Sequence, residues 1–363
     1  MDVNFPRRPR DSVIRQPRVD QLQPTFAHAV PSRHPHRLFS TPFILFFGFA
    51  GLIILGGVLL SLPIANNAGL FTPLVLSFFT ATSAVTVTGH TVVDTPTYWS
   101  HFGQAIIFAL MLIGGLSFMA VATFILALLG QRSSISERLV IQQTMGIDRM
   151  EGLRRITRNI VIVVFLIYLI GAGVIFWRIH GLDDMGTIES VWQSVFLSVS
   201  AFNNAGFSIL PASPAGSGLE RFTAVESLLF PMIILIILGG IGWTTLVDIY
   251  RNHRFARLSL DTKLVVVTSL VLWVAGAIVL FFAEFSNPET QGGLSMVDRI
   301  SDSIFHSVSG RTAGFTTFDF GNAEDFTKLT YPALMFIGGA SGSVAGGIKV
   351  NTFALIIAAV ISS

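Results

Sequence analysis

The sequence predicts an all-α membrane protein assembled from a repeated unit of span, half-helix, polar loop and span. Three observations carry that expectation. Hydrophobic residues make up 52% of the chain and charged residues 12%, against about 25% charged in an ordinary soluble domain, and the mean hydropathy is +0.68. Apolar stretches near 40–63, 102–130, 158–179, 223–247, 262–285 and 328–360 are long enough to cross a hydrocarbon core of ~30 Å. Within each successive pair lies a shorter apolar segment, near 70–84, 188–202 and 297–309. These are too short to span and suit re-entrant half-helices.

Each half-helix runs into a small, polar loop ending in glycine. The loops are Ser83-Ala84-Val85-Thr86-Val87-Thr88-Gly89, Ser200-Ala201-Phe202-Asn203-Asn204-Ala205-Gly206-Phe207 and Ser309-Gly310-Arg311-Thr312-Ala313-Gly314-Phe315. Their glycines recur at near-equal spacing, so they mark a repeat. Polar backbone at membrane depth is tolerated where it is buried in protein or lines a watery path. Such loops therefore read as the wall of a pore. Glycine lets a carbonyl turn toward the axis, and a desolvated monovalent cation needs carbonyl oxygens in place of its hydration shell. Tight helix packing explains Gly56-Gly57, Gly114-Gly115 and Gly239-Gly240; it does not explain threonine and asparagine clusters at half-helix ends.

Charge sets the expected orientation. Residues 1–37 form a basic tail with Arg7, Arg8, Arg10, Arg15, Arg18, Arg33 and Arg37; residues 131–157 and 251–261 form two further basic loops. The glycine-loop side carries Asp94, Asp183, Asp184, Glu289, Asp319, Glu324 and Asp325. The positive-inside rule then puts the N-terminus and both basic loops in the cytoplasm. The repeats fall at 38–130, 158–250 and 262–363. Asp94 and Asp319 either concentrate cations at a pore mouth or are ordinary solvated loop acids. Arg311, inside the third loop, needs a partner at this depth; Asp302 or loop carbonyls are the expected ones, with a bracing role.

A second polar break interrupts the last span at residues 338–349: Gly338, Gly339, Ala340, Ser341, Gly342, Ser343, Val344, Ala345, Gly346, Gly347, Ile348 and Lys349. It is no phosphate loop, because Ile348 and Val350 stand where lysine and a hydroxyl residue belong and no strand precedes it. It lies too close to Gly314 to be a fourth filter. An unwound gate below the filter, or a passive kink, remains.

Enzyme chemistry finds no support. The chain has no cysteine, which removes thiolate catalysis and thiolate metal sites. His306 and Ser307 adjoin without a spaced Ser/His/Asp set, and His90, His101 and His306 make no metal pattern. The arginines behind the pI of about 9.2 bear on topology rather than nucleic acid.

These motifs, with Thr91-Val92-Val93-Asp94-Thr95 and Gly342-Ser343-Val344-Ala345-Gly346-Gly347-Ile348-Lys349, resemble the potassium-translocating membrane subunits of the bacterial Ktr and Trk uptake systems, the Ktr type more closely. The resemblance covers roughly residues 40–360. It implies the potassium-channel-like transporter fold, with four such repeats around one pore. It implies a filter lined by Thr86, Val87, Thr88, Gly89, Asn203, Asn204, Ala205, Gly206, Arg311, Thr312, Ala313 and Gly314. The gate it implies contains Gly338, Gly339, Ser341, Gly342, Ser343, Gly346, Gly347 and Lys349. It further implies potassium as the transported ion with no bound cofactor, a homodimer in the bacterial inner membrane, and a cytosolic ring of nucleotide-binding regulatory subunits. The sequence stops at Ser363, so three repeats are expected here and the fourth is missing. Sodium or non-selective cation permeation, and a non-conducting membrane assembly module, are the alternatives.

Overall fold

A computed structural model describes residues 41–116, 153–180, 186–210, 219 and 226–362. The basic tail and most of the first basic loop, 131–152, lie outside them. Every regular element among the described residues is helical, apart from two isolated bridges, Asn66 with Trp99 and Ile337 with Ile348.

The stretch expected as the first repeat contains α1 (Thr41–Ser61), α2 (Leu74–Val85) and α3 (His101–Gly115). The second contains α4 (Leu153–Ile179), α5 (Thr187–Phe202), α6 (Glu226–Ile241) and α7 (Trp243–Arg251). The third contains α8 (Leu260–Glu284), α9 (Met296–Ser309), α10 (Asp325–Phe336) and α11 (Val350–Ser362). The half-helices α2, α5 and α9 have 12, 16 and 14 residues, and each packs on the first span of its own repeat. Starts follow ordinary capping: the hydroxyls of Ser100, Ser259 and Ser295 accept from the backbone N–H of Gly103, Thr262 and Asp298 at 3.3, 3.2 and 3.3 Å.

Burial is arranged as lipid requires. Along α4, Ile160, Val164, Tyr168, Ala172, Ile175 and Ile179 are buried, whereas Val163, Leu166, Leu169 and Ile170 are exposed. On α5 the buried face includes Ser190, Gln193, Ser194, Ser198 and Ser200. Helices α4 and α8 are each long and apolar enough to cross a membrane.

The apolar stretch 223–247, expected as one continuous span, is broken. It bends by 99° between α6 and α7, at Gly242 with φ +85°. The physical reason is an exchange of hydrogen bonds. Carbonyls of Gly240 and Gly239 accept from the N–H groups of Ala340 (2.9 Å) and Val344 (3.3 Å), and Trp243 N donates to Gly342 O at 3.5 Å. The segment 338–349 thus replaces bonds that a straight helix would make to itself.

Candidate pore and gate

Each half-helix ends in the same backbone device. Val87 (φ +55°) and Gly89 (+78°), Asn204 (+54°) and Gly206 (+71°), and Thr312 (+78°) and Gly314 (+79°) are in the left-handed region, with one ordinary residue between the members of each pair. Left-handed backbone is strained for β-branched residues such as valine and threonine, and strain of this kind gathers at functional sites. Alternating the sign of φ turns successive carbonyls to one side of the strand. The N–H groups of Thr88, Ala205 and Ala313 donate back to the carbonyls of Ser83, Ser200 and Ser309, each at 2.8 Å, so the half-helices anchor the loops.

The three loops meet. A methyl on Gly89 would overlap the Ala205 carbonyl oxygen and lie 3.0 Å from Gly206 Cα. One on Gly206 would lie 2.7 Å from Ala313 O, and one on Gly314 would lie 3.7 Å from both Gly206 Cα and Thr88 O. The carbonyls of Thr88, Ala205 and Ala313 therefore each approach a neighbouring loop's glycine. At Gly89 and Gly206 glycine is required twice over, by φ and by close approach; at Gly314 by φ alone.

The amides of Asn203 and Asn204 are taken up behind this meeting place. Asn203 is fully buried behind it, accepting from the Tyr168 hydroxyl at 2.6 Å and donating to Met111 O at 3.1 Å. Asn204, with its amide oriented to satisfy both ends, donates to Ala201 O (3.2 Å) and Ile236 O (3.3 Å). Thr86 Oγ1 donates to Thr82 O and meets Thr88 Oγ1, both at 2.7 Å; this first loop is the exposed one. Where the loops meet they therefore present backbone carbonyls rather than these amides.

Arg311 does not pair with Asp302. Its Nε donates to Ile337 O at 3.2 Å, its Nη2 to Gly338 O, and its guanidinium lies 5.6 Å over the Trp273 ring. Asp302 is occupied by Gln291 and Thr317, which leaves the arginine to carbonyl acceptors.

The segment 338–349 is a closed loop with a pinned neck. Gly338 N donates to Ile348 O, Ile348 N to Phe336 O and Val350 N to Gly339 O, all at 3.0 Å. Lys349 Nζ donates to Ala345 O at 2.6 Å. Ser341 bonds Asn351, whose amide reaches Asp261 Oδ1 at 3.0 Å. Gly346 has open space around its Cα, and Gly347 has φ +68°. The tip residues Gly342, Ser343 and Val344 line a cavity of about 100 Å³ with Phe202, Gly239 and Trp243, so the loop tip lies next to the end of the second half-helix.

Sequence reasoning missed Gly242 and Trp243 as partners of this loop. It read Gly239-Gly240 as packing glycines, which is half correct. Gly239 abuts Phe202 O, but Gly240 is uncrowded, its nearest neighbour 3.6 Å away, and its carbonyl holds Ala340 instead. The signal was a third glycine, Gly242, close behind the pair. Asp94 and Asp319 are exposed and engaged locally, with Thr97 Oγ1 (2.6 Å) and Gly321 N (2.8 Å).

A family model described as "TrkH: Cation transport protein" matches residues 61–363. The chain belongs to this family. It is a membrane cation transporter family, so the chain is no enzyme. Among TrkH-family relatives, Ktr system potassium uptake protein B of Bacillus subtilis is 38% identical over 89% of this chain and 71% of the relative. The protein of that name from Vibrio alginolyticus is 34% identical, over 86% and 68%. Potassium/sodium uptake protein NtpJ of Enterococcus hirae is 33% identical, over 85% and 67%. The fold matches the crystal structure of the potassium transporter TrkH from Vibrio parahaemolyticus with a TM-score of 0.64 at 17% identity, covering 90% of this chain and 62% of that one.

Proposed function

We propose that this chain is the potassium-conducting membrane subunit of a Ktr-type uptake system. The observation that carries the reading is the meeting of Gly89, Gly206 and Gly314, each preceded by a carbonyl facing another loop. Carbonyls at fixed positions replace the hydration shell of a passing ion without a formal charge to trap it. Thr86, Val87, Thr88 and Gly89, Asn203 to Gly206, and Thr312 to Gly314 act through their backbone, Arg311 braces the third loop through its side chain, and the ion moves down its electrochemical gradient. The potassium uptake named for two of the relatives supports the ion assignment.

In this reading the loop 338–349 is the gate. Its tip reaches the end of α5, and its neck is held by backbone bonds that can be exchanged for helical ones. The basic tail and basic loops face the cytoplasm of a bacterial cell, where a nucleotide-binding ring would bear on a homodimer of the membrane subunit. The support for both partners is the Ktr resemblance.

Rubidium-tracer uptake by potassium-starved, uptake-deficient cells expressing the full-length protein tests the assignment. Accumulation competed by potassium is expected; its absence in well-expressed protein rules the function out. The potassium/sodium name of the Enterococcus relative favours sodium as the second ion, and adding sodium as competitor measures it.

A further inference from the structure

We propose that Asp302 and His306, on the third half-helix, are positioning residues that clamp Thr317 and so fix the outer end of the third filter loop. The inference rests on the filter reading above and adds a residue set that determines ion preference.

The three side chains form one hydrogen-bonded cluster. The Thr317 hydroxyl donates to Asp302 Oδ1. His306 Nε2 meets Thr317 from two sides: it lies 2.7 Å from Oγ1 and accepts from the Thr317 backbone N–H at 3.3 Å. The other carboxylate oxygen accepts from Gln291 Nε2 at 2.8 Å, and that amide also reaches Ser303 Oγ at 3.1 Å. Phe318 stacks on the imidazole at 4.2 Å between centroids and holds its plane. Thr317 follows Gly314 by three residues on the same strand.

Burial makes this arrangement costly. Asp302, His306, Thr317 and Gln291 are 1%, 0%, 2% and 1% exposed, and His306 Nδ1 is buried without a hydrogen-bond partner. A carboxylate at such depth is expensive, and a half-satisfied polar network is worse than an apolar core unless it has a use. Its use is visible by comparison with the other repeats. At the position of Asp302 relative to the loop glycine, the first two repeats have Ser77 and Ser194, which bond their own helices at Leu74 O (3.1 Å) and Ser190 O (2.6 Å). In place of His306 stand Ala81 and Ser198, and in place of Thr317 stand Val92 and Ile209. Among the described residues, only the third loop has side chains of its half-helix fastened beyond the glycine through a carboxylate. The second repeat has one such tie, Ser200 Oγ to Phe207 O at 2.7 Å; the third adds the clamp to its own, Ser309 Oγ to Phe315 O at 2.6 Å. The third wall is thus the one tied most heavily to its own half-helix among the described residues.

The test is potassium-over-sodium preference of the full-length protein in proteoliposomes. Thr317→Val removes the hydroxyl and Thr317→Ser keeps it. The valine variant should lose roughly tenfold in preference, the scale of one hydrogen bond to a charged group, and the serine variant should retain the parent value. Asp302→Asn, which weakens the acceptor without changing shape, should fall between them and stands in if the valine variant does not fold. A folded Thr317→Val or Asp302→Asn protein with unchanged preference overturns the clamp. Gly314→Ala is measured in parallel: if it shifts preference while the clamp variants do not, only the clamp is lost; if none shifts it, the filter reading itself fails.

Discussion

The guanidinium of Arg311 donates to the carbonyl of Gly338, joining the third glycine loop to the first residue of the segment 338–349. The same side chain also holds Ile337 O at 3.2 Å and is 5% exposed. Arginine suits this role because its rigid fork serves two acceptors at once, whereas lysine offers a flexible point charge. The third glycine loop and the segment 338–349 are therefore joined into one hydrogen-bonded unit.

Arg311→Lys should loosen that unit while keeping its charge. We expect faster hydrogen exchange at the neck amides of Gly338 and Ile348 and a higher basal rubidium flux. Exchange at the parent rate would show that the neck bonds hold without the arginine.

Tyr168→Phe tests the second loop. The lost hydroxyl leaves the buried Asn203 Oδ1 without its 2.6 Å donor, a cost of about 1–3 kcal/mol. A lower Tm and a reduced potassium-over-sodium preference are expected. A lower Tm alone would confine Asn203 to a packing role.

Much of this was legible in sequence, because a polar, glycine-ended loop inside an apolar run has few physical explanations. The half-helices, the three loops and the unwound segment 338–349 all stand out by composition. The bend at Gly242 does not, since hydropathy is indifferent to whether an apolar stretch is straight. Nor do the directions of Asn203 and Asn204, which residue type alone cannot distinguish from pore-lining amides. Arg311 was readable as a brace, but its acceptors belong to a segment 26 and 27 residues further on, and only packing brings them together.

Deleting Ser341–Ala345 removes the loop tip while sparing the Gly338–Ile348 neck bond. Flux should rise and depend less on the regulatory partner. A folded deletion protein with the parent's flux and regulation would make the segment a passive kink.

The most direct measurement is the relative permeability of potassium and sodium through full-length protein carrying Gly89→Ser. Serine there must adopt φ +78° and place its Cβ against the Ala205 carbonyl, displacing the carbonyls of two loops at once. The potassium preference should fall severalfold, by about 1 kcal/mol or more, the cost expected of strained backbone at such a site. An unchanged ratio in correctly folded protein would mean that the three glycine loops do not select the ion.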